Sequence, residues 1–133
     1  NSLVLKKYSA VKELAEFGQE YADIVYNITN TNCFICDLDN FVAVSIDKSI
    51  YLNKRISKAL EGFLIGRKAA YLKGESLIDL IADDTRVYKD MAISPIVTGG
   101  DVLGGIIMAS INGFGDLGLK LVEIASGFLS KQI

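Results

Sequence analysis

The stretch that most constrains the fold is residues 91–110, MAISPIVTGGDVLGGIIMAS. Residues 92–97 and 102–109 are two apolar runs, separated by Thr98-Gly99-Gly100-Asp101. Glycine reaches positive φ without steric cost, and aspartate favours turns through local hydrogen bonds. The pattern therefore predicts a β-hairpin. The second run is apolar at nearly every position instead of alternating, which predicts a central strand covered on both faces. Such a strand sits in a sheet sandwiched between other layers. Gly104 and Gly105 fall inside it, where glycine marks a bulge or a close backbone approach.

The covering layers are sought in the rest of the chain. Residues 3–8 read as the end of a strand or a loose terminus. Residues 9–28 read as a long amphipathic helix with Ser9 able to cap its start. Val11, Leu14, Gly18, Tyr21, Val25 and Ile28 alternate at spacings of three and four, as in a heptad seam. Phe17 and Ile24 add a second stripe. Either one stripe faces the sheet and the other a helix, or both merge into one broad core-facing stripe. Residues 33–37 and 41–45 predict a second hairpin turning at residues 38–40, and residues 46–49 a loop. Residues 52–64 predict a shorter helix with Ile56, Leu60 and Phe63 on one face. Residues 67–75 have no clear period, residues 76–81 suggest a strand, residues 82–85 a turn, and residues 86–97 an extended segment. A closing helix spans residues 117–131. Leu117, Leu121, Ile124, Ala125, Phe128 and Leu129 make one stripe on it, and Leu119, Val122 and Ala125 a second. Without βαβ alternation the class is α+β. An antiparallel sheet is expected, with the first and last helices packed together on one face and residues 52–75 on the other.

At 133 residues, half of them apolar, the chain supports one domain with one core. A formal charge of -2 argues against this domain holding nucleic acid by itself. No apolar run approaches the roughly 20 residues that cross a bilayer, and no signal-peptide pattern opens the chain. A cytoplasmic location without membrane contact is expected. The start at Asn1, without methionine, suggests a fragment or a processed protein.

Histidine is absent, which removes Ser-His-Asp and Cys-His nucleophiles and every His-ligated metal site. The glycines of residues 99–105 join two strands and do not open a helix, so they lack phosphate-binding context. Cys33 and Cys36 form a lone CxxC on a predicted strand, where residues three apart point to opposite faces. Buried inert thiols are the plain reading, and a redox or ligand-facing thiol the sharper one. Lys54, Arg55, Lys58, Arg67, Lys68 and Lys73 lie close in sequence with few acids among them. They form a solvated face, an anion-binding rim or a contact for an acidic partner. Arg86, Tyr88 and Asp90 alternate and line either a pocket mouth or solvent. Asp37, Asp39, Asp83 and Asp84 sit in turns. No catalytic residue, metal or cofactor is assigned.

Pro95-Ile96, Gly100-Asp101, Gly104 and Ile106, followed by an amphipathic helix, resemble the core of a GAF domain. The first helix and the CFICD…FVAVS hairpin match that order. More narrowly, Leu5-Lys6-Lys7-Tyr8-Ser9, Glu20-Tyr21-Ala22-Asp23, Tyr51-Leu52-Asn53-Lys54 and Ala125-Ser126-Gly127-Phe128-Leu129 resemble the C-terminal region of the stage V sporulation protein T family. The resemblance covers essentially the whole chain. It implies a regulatory GAF-like domain at residues 9–133 of a sporulation transcription regulator. Residues 1–8 would then be the tail of an N-terminal swapped-hairpin, AbrB-type domain through which alone DNA is bound. It implies a homodimer or higher homo-oligomer formed by the terminal helices, with Leu14, Gly18, Tyr21, Val25, Leu121, Ile124, Ala125 and Phe128 at the interface. It also allows an unidentified small-molecule effector, for which Ser45, Arg67, Lys68, Tyr71, Arg86 and Tyr88 are the candidate contacts. The alternatives are an assembly module with a closed pocket and a GAF-like thiol reductase using Cys33 or Cys36.

Overall fold

A computed structural model describes residues 2–133, with side chains described from residue 10 onward. Strand β1 (Asn32–Asp37) turns into β2 (Phe41–Val44). Later in the chain come β3 (Ala70–Lys73), β4 (Asp90–Thr98) and β5 (Asp101–Ser110). The five strands form one antiparallel sheet in the order β2-β1-β5-β4-β3. The predicted hairpin is present, and its turn explains the glycines. Thr98 pairs with Asp101, and Gly99 and Gly100 both take positive φ, as the tight turns matching strand twist require. β5 is central and buried on both faces from Leu103 to Ser110. Pro95 is tolerated because β3 pairs with β4 only from Asp90 to Ile93, so no neighbour asks for the missing N–H.

Helix α1 (Ser2–Thr29) and helix α4 (Leu117–Gln132) lie together on one face of the sheet. Leu14, Ala22, Ile35, Ile96, Ile106, Val122 and Leu129 fill the layer between. The opposite face carries the short helix α2 (Lys48–Tyr51), helix α3 (Lys58–Ile65) and the irregular residues 77–88. The α+β class and the placement of the terminal helices agree with the sequence reading.

Several local expectations fail for physical reasons. Residues 3–8 are helical, not a strand, because nothing stops α1 from propagating through them and Ser9 is interior to it; extending a helix costs far less than starting one. α3 begins at Lys58, not at residue 52. Residues 53–56 spend their backbone on the open edge of β2, with Asn53 N–H donating to the Phe41 carbonyl, Phe41 N–H to that of Lys54 and Ile56 N–H to that of Asp39. Ser57 then caps α3 by accepting from Leu60 N–H. Residues 48–51 coil into α2 where a loop was expected. Residues 76–81 form no strand, and the fifth strand lies instead in the aperiodic stretch, at Ala70–Lys73. Four residues are too few to show a period.

The other end of β2 is closed by a side chain. Gln19 of α1 donates to the Val44 carbonyl (3.0 Å) and accepts from Val44 N–H (3.3 Å), as a neighbouring strand would. Gly104 and Gly105 mark close approaches on two different fronts. A Cβ at Gly104 would strike the carbonyl of Cys36 in the neighbouring strand, and one at Gly105 would strike the Leu64 side chain of α3. Gly62, exposed on α3, has open space around it. Gly104→Ala should therefore lower stability by about 1–3 kcal/mol or prevent folding, as overpacked sites do. Gly62→Ala should raise it by about 0.5–1 kcal/mol through helix propensity. Urea unfolding of the two variants checks the opposite signs.

Candidate functional site

Three regions carry the chemistry the sequence singled out. The first is the thiol pair. β1 alternates its side chains, so Cys33 points under α1 and α4 while Cys36 points toward α3, each fully buried. Burial pushes the Cys33 thiol up to about 12 and raises Cys36 as well. A thiol held neutral at physiological pH is neither nucleophile nor ligand. Among the described residues, no group of His, Cys, Asp or Glu is placed to hold a metal.

The second region is the interior between the sheet and α3. Aromatic rings fill it. Phe34 packs edge-on against Tyr51 with centroids 4.9 Å apart, and Phe41 and Tyr88 close around them. The two phenols meet at 2.7 Å, and Tyr51 reaches Asp84 Oδ1 at 2.8 Å. A carboxylate only accepts, so Tyr51 donates to Asp84 and Tyr88 donates to Tyr51. Burial above all raises both phenols, Tyr88 to about 12. Asp84 also accepts from Leu80 N–H and Arg86 N–H, fixing the turn before the extended segment. The turn role expected of Asp83-Asp84 is thus the one seen, and Asp37 does the same at its own turn by accepting from Asp39 and Asn40 N–H.

The third region is a cleft of about 200 Å³ at the end of the sheet, where α1 ends and β5 runs out. Tyr26, Asn30, Asp47, Arg86, Tyr88 and Ile111 line it. Arg86 donates to Asp47 Oδ1 across its wall at 3.0 Å.

The predicted ligand residues do not converge. Arg86 and Tyr88 share the cleft, although Tyr88 offers it little beyond a ring edge because its hydroxyl is spent on Tyr51. Ser45 lies apart from the cleft lining: its hydroxyl donates to Asn32 Oδ1 and accepts from Cys33 N–H, a brace between β1 and the end of β2. Arg67 reaches to the Gly100 carbonyl at the opposite end of the sheet. Tyr71 donates to Asp90 Oδ2 at 2.7 Å, a bond that pushes its phenol up to about 12. That same oxygen receives Phe114 and Gly115 N–H and so anchors the loop into α4. Lys68 borders a shallow open depression on α3 with Ala59, Gly62 and Phe63. The sequence reading missed Tyr26, Asn30 and Asp47, because a cleft formed by the end of α1 and segments distant in the chain leaves no periodic trace.

The helical interface residues divide as well. Leu14 and Ala125 are buried inside the chain and Gly18 presses on Ile35, so these three serve the core. Val25 is half-buried against that same core. Tyr21, whose ring lies 6.1 Å from that of Phe128, sits at the junction of the two helices. Leu121, Ile124 and Phe128 face outward, joined on α1 by Phe17, Ile24 and Ile28.

A five-stranded antiparallel sheet with its terminal helices on one face and short elements on the other is the architecture of a GAF domain. Solved structures agree on the fold. The cofactor-binding GAF domain of the nutrient sensor CodY from Clostridium difficile is similar with a TM-score of 0.62 at 16% identity, covering 98% of this chain and 96% of that one. A free methionine-R-sulfoxide reductase from Thermoplasma acidophilum is similar with a TM-score of 0.61 at 8% identity, covering 89% of this chain and 93% of that one. Residues 13–133 match the family described as stage V sporulation protein T C-terminal, transcription factor. Stage V sporulation protein T of Bacillus subtilis (strain 168) is 38% identical over 136 residues, covering 98% of this chain and 75% of that protein. The chain belongs to this family of sporulation transcription factors.

Two measurements follow from the buried groups. Cys33 and Cys36 should resist a thiol reagent at pH 8 in the native protein and react within the mixing time in urea. Rapid native labelling would contradict their placement. The phenols set an alkaline limit. In the unfolded chain tyrosine ionises near 10, whereas Tyr88 in the folded chain holds its proton to about 12. The unfolded state therefore binds fewer protons between those values. This stability is fully present below about pH 10 and is lost as pH rises through about 12. Urea midpoints measured against pH should fall across that window, and less steeply in Tyr88→Phe.

Proposed function

We propose that this domain is the assembly and regulatory module of a transcription regulator, pairing with a second copy through the outer faces of α1 and α4. One observation carries this reading. Phe17, Ile24 and Ile28 on α1, and Leu117, Leu121, Ile124 and Phe128 on α4, are exposed and turn away from their own sheet, and with Tyr21 at the helix junction both rows repeat at the same alternating spacing of four and three. That is the spacing of helices that pack against helices. Ile124 is 66% and Phe128 55% exposed, neighbours in a contiguous apolar row of the kind that marks an interaction surface. Two such helix pairs, related by a twofold axis, bury both seams in a four-helix contact. The domain then sets the spacing of whatever DNA-binding arms the protein carries, in the cytoplasm, with no catalytic step of its own.

An effector reading rests on the cleft. The interior between sheet and α3 is packed with aromatic side chains, so a small molecule would be read at the sheet's end instead. The similar GAF domain of CodY is a cofactor-binding one, which lends the fold a precedent. Such a ligand regulates only by preferring one arrangement of the assembly over another.

Sedimentation velocity at tens of micromolar should show a dimer or larger species. Ile124→Glu with Phe128→Glu should give a monomer with an unchanged circular dichroism spectrum, because both side chains point away from the core. A wild-type chain that stays monomeric at high micromolar concentration contradicts the reading.

A further inference from the structure

We propose that the cleft at the end of the sheet binds a small organic carboxylate with a compact apolar body, held by Arg86. This deepens the effector reading above and rests on it. Arg86 is positioned twice over. Its backbone N–H donates to Asp84 Oδ1 at 3.1 Å, and that carboxylate is itself fixed by the Tyr51–Tyr88 pair. Its guanidinium is held by a single bond from Nη2 to Asp47 Oδ1. One such bond leaves most of the guanidinium's N–H donors unspent, in the planar fork that matches a carboxylate. Arg86 is the one cation among the residues lining the cleft.

The remaining lining sets the body of the ligand. Tyr26, Ile46 and Ile111 present apolar surface. Val87, next to Arg86 in the chain, is 85% exposed and Ile111 65%, so apolar groups stand unburied around the Arg86 segment and at the cleft wall. The volume of about 200 Å³ falls below the roughly 300–1,000 Å³ of drug-sized sites, which limits the ligand to a few carbons beyond its head group. The charge balance favours a carboxylate over a phosphate. One guanidinium beside one carboxylate, Asp47, is a pair of zero net charge, which repels a dianion more than a monoanion and leaves the fork of Arg86 as the attractive element. Asp47 and the last carbonyls of α1, negative through the helix dipole, would add a contact for a ligand that also carries an ammonium group.

The test titrates the full chain with pentanoate and with 2-aminopentanoate, followed by amide chemical shifts. Saturable shifts clustered at Tyr26, Asn30, Arg86 and Ile111 are expected. The stronger of the two ligands says whether the ammonium contact matters. Arg86→Gln should weaken binding about tenfold or more, the scale of a lost charge-assisted hydrogen bond. Ile111→Glu, an exposed change that sets a negative charge at the cleft, should do the same without touching Arg86. Absence of saturable shifts at millimolar ligand, unchanged affinity in Arg86→Gln, or tighter binding of inorganic phosphate at the same residues would each overturn the assignment. Neither substitution lies on the outer faces of α1 and α4. Sedimentation of both variants therefore separates a failure of ligand binding from a failure of assembly.

Discussion

The structure depends on burying both faces of one strand. β5 carries Leu103, Ile106 and Met108 toward α1 and α4, and Ile107 and Ala109 toward α3. Each buried aliphatic side chain contributes about 1.5–3 kcal/mol relative to exposure, but only if a layer exists to cover it. The chain builds the two layers differently. Toward α3 it uses short elements and wedges them apart with rings. Toward the terminal helices it uses two long rods. A rod has a back as well as a front, and here the back is apolar too. The surplus apolar surface is thus a direct result of how the second layer was made.

That arrangement gives different surfaces of the regulatory domain different tasks. The outer faces of α1 and α4 are free to meet another copy because Val122, Ala125 and Leu129 already hold α4 to the sheet, aided by the buried Ser94–Ser126 hydroxyl contact at 2.8 Å. The strand edge of β2 is withheld from association. Gln19 occupies Val44 and residues 53–56 occupy the rest. Strands cannot add without limit at an edge closed in this way, so the proposed pairing is left to the helices, where symmetry would close it. The thiols and phenols stay neutral inside and leave Arg86 and Asp47 as the charged pair at the cleft.

Much of the fold was legible because its strongest signals are local. The Gly99-Gly100 turn, the unbroken apolar run of β5 and the two short apolar runs of the β1–β2 hairpin with a polar turn between them each report their own conformation. The heptad spacing of the terminal helices announced two apolar stripes on each, but spacing alone does not say which stripe meets the sheet. Leu14, Gly18 and Ala125 went inward, and Phe17, Ile24 and Ile28 outward. Small residues at Gly18 and Ala22 let α1 sit close on β1, and that decides the matter only once β1 is known to lie beneath. The surroundings of the binding candidates were not legible for a related reason. Ser45, Arg67 and Tyr71 bear the right groups, but each is engaged by a partner distant in the chain, and such engagement has no signature in sequence. Arg86 stands out in the sequence through alternation along a strand that does not exist at that position, yet it does face the cleft.

Helix α1 is longer than its seat on the sheet. Its 28 residues make a rod of about 42 Å, longer than the sheet it crosses. The middle is seated on β1 and β2 at Leu14, Gly18 and Ala22, and the last turn forms a wall of the cleft at Tyr26. A helix is stiff along its axis, so a seat in the middle acts as a fulcrum. A tilt of about 5° imposed at the cleft swings the other end through roughly 2 Å in the opposite sense. A helix seated in this way would carry any tilt at the cleft to its far end as a change of bearing.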